Sequence, residues 1–252
     1  MIGYRAGYRA SGYSGIYIGS SAGLKSTNSG IYIGRDAGSG AENYSGGNIA
    51  IGYLSGTVFM STSDNNVFVG QQAGRYATGS NNTFIGEQAG LGGTTSAPYS
   101  SGENNVALGY QALTGFTTGG TNVAVGYQAG RVVTTATNNT LVGPYAGYDL
   151  TTGTGNTLIG SEADGNNETG DYNTIIGYQA ATGAHGSSHD STVAIGYRAA
   201  FSVTTGNGNV AIGQSALQTI TTGTRNVAVG TTAGYAGGVG GYNVYMGYEA
   251  GK

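Results

Sequence analysis

One short phrase returns along the whole chain: NVAVGYQAG at Asn122–Gly130 has near-copies in NTLIGSEADG, NTIIGYQAA, NVAIGQSA and NVAVGTTAG. Repetition restricts a fold more than any single motif, because each copy must be one structural unit that buries its apolar side against its neighbours. Taking the glycine after the aliphatic residue as a marker, fifteen copies run from Gly3 to Gly247, with a modal spacing of 17, regular after Gly109 and looser before it. A unit of that length is too short for a pair of helices. No window holds a 3.6-residue periodicity, and short β-rich runs alternate with Gly, Asn and Thr corners. The expected fold is all-β: a parallel β-solenoid of about fifteen coils of period 17, with two short strands per coil. It is read as a single elongated repeat domain over 1–252, with irregular coils over 1–104 and regular ones over 105–252. At an inter-strand spacing of about 4.8 Å, the stack would make a rod of roughly 70 Å.

The columns of the stack carry more than any one copy. The residue before the marker is aliphatic, and the one three before it is Val, Ile or Thr, as in Val123 and Val125. Two residues apart on a strand share a face, and this face is expected to be the inner one. Three residues after the marker stands Ala in fourteen of the fifteen copies, with Ser55 the exception, which suits a tight corner. Four before it stands Asn in eleven copies, placed to hydrogen-bond to its own image in the next coil. The strand's middle residue should then point outward. It reads Ala107, Ala124, Leu141, Leu158, Ile175, Ala194, Ala211 and Ala228 through the regular region, without a charge. An apolar stripe along a thin-cored stack is an association surface. These eight residues are therefore the expected interface of a homo-oligomer, with a trimer as the expected state.

The phrase NVAIGYQAG, pooled from these copies, resembles the head repeats of trimeric autotransporter adhesins of the YadA type. It resembles still more the NTAIGYQAL-type repeats of bacteriophage tail-fibre proteins and related bacterial surface proteins. The resemblance covers Ile16 to Gly251. It implies a left-handed parallel β-roll with three chains side by side, a fibre or adhesin role, and a place outside the cell, on a cell surface or in a virion tail.

Composition narrows the function classes. Net charge is −3 and the 9 basic residues are scattered from Arg5 to Lys252, so no basic patch points to nucleic acid. There is no cysteine, hence no disulfide framework or thiol chemistry. No apolar run approaches the roughly 20 residues of a membrane helix, and MIGYRAGYRASGYSG lacks the apolar centre of a signal peptide. Because the chain starts and stops inside a repeat, it reads as a segment of a longer fibre or as a subunit that stacks head to tail into a filament or matrix.

Candidate chemistry is sparse. The hydrolase-like G-x-S-x-G at Gly19–Gly23 is the repeat phrase with Ser21 in a variable slot, and no enzymatic role is expected. His185 and His189, four apart in a copy lengthened to 19 residues, are weak candidates for metal ligation. Asp164 and Glu168, with Glu162 and Asp171, are weak candidates for Ca²⁺, although the glycine and bidentate glutamate of an EF-hand are missing. No other cofactor is expected. Tyrosines after the marker, Tyr110, Tyr127, Tyr178 and Tyr197, form a ladder suited to glycan rings, with corner packing as the plainer role. The recurrent TTG segments, at Thr151 and Thr204 among others, suggest a lesser alternative, ice binding. The reading is thus a structural and adhesive fibre segment binding surface polysaccharide multivalently, with itself as partner and neither nucleic acid nor inserted membrane.

Overall fold

The computed structural model describes residues 1–10, 14–26, 29–40, 46–58, 63–96, 99–236 and 239–252. Among these there are fourteen strands and no helix. Each strand is three residues long and occupies the positions three, two and one before a marker glycine; the first copy contributes a single bridge, Ile2 to Ile18. The chain divides into two compact units, Met1–Asn122 and Val123–Lys252. Unit 1 holds β1 (Ile16–Ile18), β2 (Ile31–Ile33), β3 (Ile49–Ile51), β4 (Val67–Val69), β5 (Thr83–Ile85) and β6 (Val106–Leu108). Unit 2 holds β7 (Val123–Val125), β8 (Thr140–Val142), β9 (Thr157–Ile159), β10 (Thr174–Ile176), β11 (Val193–Ile195), β12 (Val210–Ile212), β13 (Val227–Val229) and β14 (Val244–Met246).

Within each unit successive strands pair in chain order, parallel, and copy against copy. In unit 1 Tyr17 faces Tyr32 and Phe68 faces Phe84; in unit 2 Leu141 faces Leu158 and Ala194 faces Ala211. The period therefore sets the register: like columns stack, and lengthened copies absorb their extra residues in corners. This is a parallel β-solenoid. It has one regular strand per coil, however, where two were expected. After the marker the chain repeatedly takes left-handed backbone, at Gln72, Gln128 and Tyr145 for example, which an extended strand cannot contain. Those corners still bond coil to coil, as in Gly130 N–H to the Ala146 carbonyl and Gly147 N–H to that of Ala163, both at 3.0 Å. Backbone polar groups are thereby satisfied without a second sheet.

The faces of the strand are the reverse of the expectation. Ala107, Ala124, Leu141, Leu158, Ile175, Ala194, Ala211 and Ala228 have no exposed surface in the single chain, so they are core and cannot form an interface between chains. The flanking aliphatics face outward, half-buried or exposed, through all fourteen strands. The reason is volume. A coil this small closes around one inward side chain per strand, and two bulky β-branched columns would not fit where one column and the corner alanines already fill the space. Where the inward residue is aromatic, the residue four after the marker is Gly: Phe84 lies against Gly90, and a Cβ on Gly90 would run into its ring. Where the inward residue is Ala107 or Ala211, that position holds a buried Leu113 or Leu217. In unit 1 the large residues stack, Tyr17 on Tyr32 at 5.8 Å and Phe68 on Phe84 at 5.0 Å.

The expected asparagine ladder is present, inside the coil. Asn139, Asn156 and Asn173 are buried, and each Oδ1 accepts the backbone N–H of the residue stacked on it. Asn156 Nδ2 also donates to Asn139 Oδ1 at 3.0 Å and to the Gly170 carbonyl at 2.8 Å. The marker glycines stack as closely: Gly143 has φ 131° and its Cβ would lie 2.5 Å from the Gly160 carbonyl oxygen. The marker column holds glycine in every copy, whereas the asparagine column also accepts Gly15, Gly30 and Thr192, whose N–H still bonds to Asn173 Oδ1.

Candidate functional site

The corner after the marker places tyrosines at the surface. Tyr110, in unit 1, is exposed, as are Tyr127, Tyr178 and Tyr197 in unit 2. Tyr178 and Tyr197 stack at 5.7 Å and 10°. The column is not continuous in unit 2, because Pro144 and Ser161 occupy it between Tyr127 and Tyr178. Tyr127 turns instead edge-on to Tyr145 at 5.2 Å, and Tyr145 to Tyr148 at 5.7 Å, so aromatic surface continues sideways along the corner. Tyr145 and Tyr148 escape a search for tyrosine directly after the marker. They stand two and five residues past it.

The second surface is the outer face of the sheet. In unit 2 it is built from the first and third residues of β7 to β14, all Val, Ile, Thr or Met. Ile159 and Ile212 are 38 % and 37 % exposed. At about 4.8 Å per strand, eight strands make a flat, uncharged strip about 34 Å long. In most copies the strand is apolar on both faces, which leaves alternation silent about which side is in; only Thr140, Thr157 and Thr174 mark the outer face as the more polar one.

The polar candidates separate. His185 Nδ1 lies 2.6 Å from Asp149 Oδ2 at the surface. His189 and Asp164 are wholly buried, with Nε2 and Oδ1 2.9 Å apart. Burial works against the His189 imidazolium, but the Asp164 carboxylate overcomes this through its charge and its contact, aided by the Ala181 backbone and the Asp190 charge, so the pKa is raised. Asn167 completes the cluster, its Nδ2 donating to Asp164 Oδ2 at 3.1 Å and to the His189 carbonyl at 3.2 Å. These three replace the two glycines and the aliphatic residue that the same columns carry in neighbouring copies, such as Gly147, Gly206 and Leu150.

The two histidines thus pair with different carboxylates. Glu168 is exposed, Glu162 takes a hydrogen bond from Gln179, and Asp171 one from the Thr154 N–H, so the four acids proposed for Ca²⁺ do not converge. Among the described residues no group of three or more His, Asp or Glu side chains is placed to hold a metal ion. Ser21 sits in unit 1 in the same left-handed corner slot as Gln72. The TTG hydroxyls are engaged between coils: Thr134, Thr151 and Thr204 each donate to a carbonyl of the next coil. Comparisons of the chain with protein-family models, with curated proteins and with solved structures match nothing.

Proposed function

We propose that this chain is a structural and adhesive fibre segment, as in phage tail fibres or bacterial surface adhesins, and that copies of it associate through the outer face of the sheet. On this reading the coils are of the left-handed β-roll type, the assembly is a homotrimer outside the cell, and the chain performs no catalysis. The observation that carries it is the uncharged, mainly aliphatic strip along β7 to β14, broken only by Thr140, Thr157 and Thr174. Strands buried on both faces are the rule in parallel sheets, and an apolar patch of this length on a lone chain is an association surface. Adhesion falls to the corner tyrosines, Tyr110, Tyr127, Tyr178 and Tyr197, where weak contacts to a repetitive polysaccharide would add.

Mass in solution tests the association. The wild type should sediment as a multiple of its 25.1 kDa chain, three copies on the trimer reading. Ile159→Asp with Ile212→Asp should yield monomers of unchanged circular dichroism. A wild type that is monomeric at micromolar concentration would sink the proposal. Ala124→Asp, by contrast, places a charge in the core and should unfold unit 2 instead of dissociating it.

A further inference from the structure

Five residues past the marker, unit 2 carries a row of side chains one coil apart, with Arg131, Tyr148, Phe201 and Gln218 half-buried and Thr182 buried. Gly165 interrupts it. Tyr148 and Thr182 therefore stand two coil steps apart, about 9.6 Å, with nothing between them but glycine backbone. The result is a cleft of about 400 Å³ lined by Tyr145, Tyr148, Glu162, Gly165, Asn166 and Thr182. The fold does not require the omission. Gly165 has no left-handed φ, and a Cβ there would meet only ordinary contacts, the nearest being the Glu162 carbonyl oxygen at 3.5 Å.

The walls are held in place. The rings of Tyr145 and Tyr148 meet at 61°. Arg131 lies over the Tyr148 ring, 5.5 Å from its centre, and Nη1 donates to the Tyr148 hydroxyl at 2.6 Å, which leaves that O–H to donate onward. Glu162 Oε2 accepts from Gln179 Nε2 at 2.8 Å, and a carboxylate has capacity for further donors. Asn166 Nδ2 donates to the Gly183 carbonyl at 3.1 Å, which orients the side-chain amide, and Thr182 Oγ1 donates to the Glu162 carbonyl at 3.0 Å. An aromatic corner thus stands beside a carboxylate and an amide, with one hydroxyl donor among them.

We infer that this cleft binds one pyranose ring of a saccharide. A pyranose has an apolar C–H face for an aromatic ring and a rim of hydroxyls, donors above all, for a carboxylate and an amide oxygen. The inference rests on the adhesive reading and names its ligand class and its site. It also moves the site from the tyrosine column to the gap beside it.

The test uses the full chain with two probes: an array of printed oligosaccharides, and saturation-transfer NMR with methyl glucoside, methyl galactoside, methyl mannoside and N-acetylglucosamine. The wild type should bind a subset of the array and take up at least one glycoside. Gly165→Phe, which fills the cleft, and Glu162→Gln should each weaken that binding at least tenfold. Gly165→Thr, which only continues the row, guards against misfolding and should weaken it too, with the thermal midpoint unchanged. Sugar binding that all three variants retain overturns the cleft while leaving the adhesive reading intact. No sugar bound by the wild type overturns both. Saturation by tetramethylammonium with no sugar bound overturns the saccharide assignment.

Discussion

At the scale of the residue, two kinds of glycine in this chain look alike in the sequence and differ in the structure. Gly90 has φ 53°, and a Cβ there would run into the Phe84 ring. Gly90→Ala combines left-handed strain of about 1 kcal/mol with overpacking of about 1–3 kcal/mol, so chemical denaturation of unit 1 should show a loss of about 3 kcal/mol. Gly165→Ala, whose Cβ would make only ordinary van der Waals contacts, should change stability by less than about 0.5 kcal/mol. Asn156 belongs with Gly90. Replacing it by Ala strips the buried Asn173 N–H of its acceptor and the Gly170 carbonyl of a donor. At about 1–3 kcal/mol per unsatisfied group, Asn156→Ala should cost about 3 kcal/mol in urea denaturation of unit 2. A cost below about 1 kcal/mol would mean that water replaces the ladder.

At the scale of the element, strand positions and register are legible in the repeat: the residues before each marker are the strands, and marker stacks on marker. Alternation marks the outward face only in the four strands that open with Thr83, Thr140, Thr157 or Thr174, because in the other ten all three residues are apolar or, at the middle position, aromatic. It could be read from volume. Tyr or Phe at the middle position goes with Gly six residues later, as in Tyr17 with Gly23 and Phe84 with Gly90, whereas Ala107 and Ala211 go with Leu113 and Leu217. Leu113 and Leu217 fill space that an aromatic inward residue would take, although Ala50, Ala124 and Ala228 are followed by Gly as well. The site is less legible. Tyr145 and Tyr148 matter through what is absent beside them, and a missing side chain at Gly165 resembles any other glycine in a chain that has 51.

The element containing the buried pair makes a separate prediction. His189 has a raised pKa, so its charged form is favoured in the folded state. The stability it supplies is complete below the unfolded value near 6.5 and is lost as pH rises through the folded value. The melting midpoint of unit 2 should therefore fall as pH is raised from 5 to 9. His189→Gly alone leaves Asp164 buried without its partner and should cost about 3 kcal/mol. Adding Asp164→Gly gives that position the glycine of the preceding copy, Gly147, as His189→Gly gives its position the glycine of both neighbours, Gly170 and Gly206, and should recover much of that loss and remove this part of the pH dependence. Equal pH profiles for the wild type and the double variant would show that the pair does not titrate between those limits.

At the scale of the whole molecule, the same few interactions recur from coil to coil within each unit: a three-residue strand pair, a glycine-to-glycine approach, a filled interior and, in most copies, an asparagine link. Each is made between one coil and the next. Stability is then close to a sum over neighbouring coils, and the unit that can be added or removed is the period. Deleting residues 209–225 joins Gly208 to Asn226 and brings Val227, Ala228 and Val229 where Val210, Ala211 and Ile212 had been. The strand, asparagine and marker columns are each continued by a residue of their own kind, Asn226 taking over from Asn209, while Leu217 and Ile220 leave together with the Ala211 beside which they are buried. This 17-residue deletion should leave a folded, soluble chain with unchanged circular dichroism per residue and a melting midpoint within a few degrees of the wild type. Deleting only 209–216 removes a strand and keeps half its corner, so Leu217 and Ile220 meet the wrong columns and the ladder loses a rung. That chain should fail to fold unit 2 cooperatively. If the two deletions behave alike in thermal unfolding, column matching is not what holds the coils together, and the additive account of this stack is wrong.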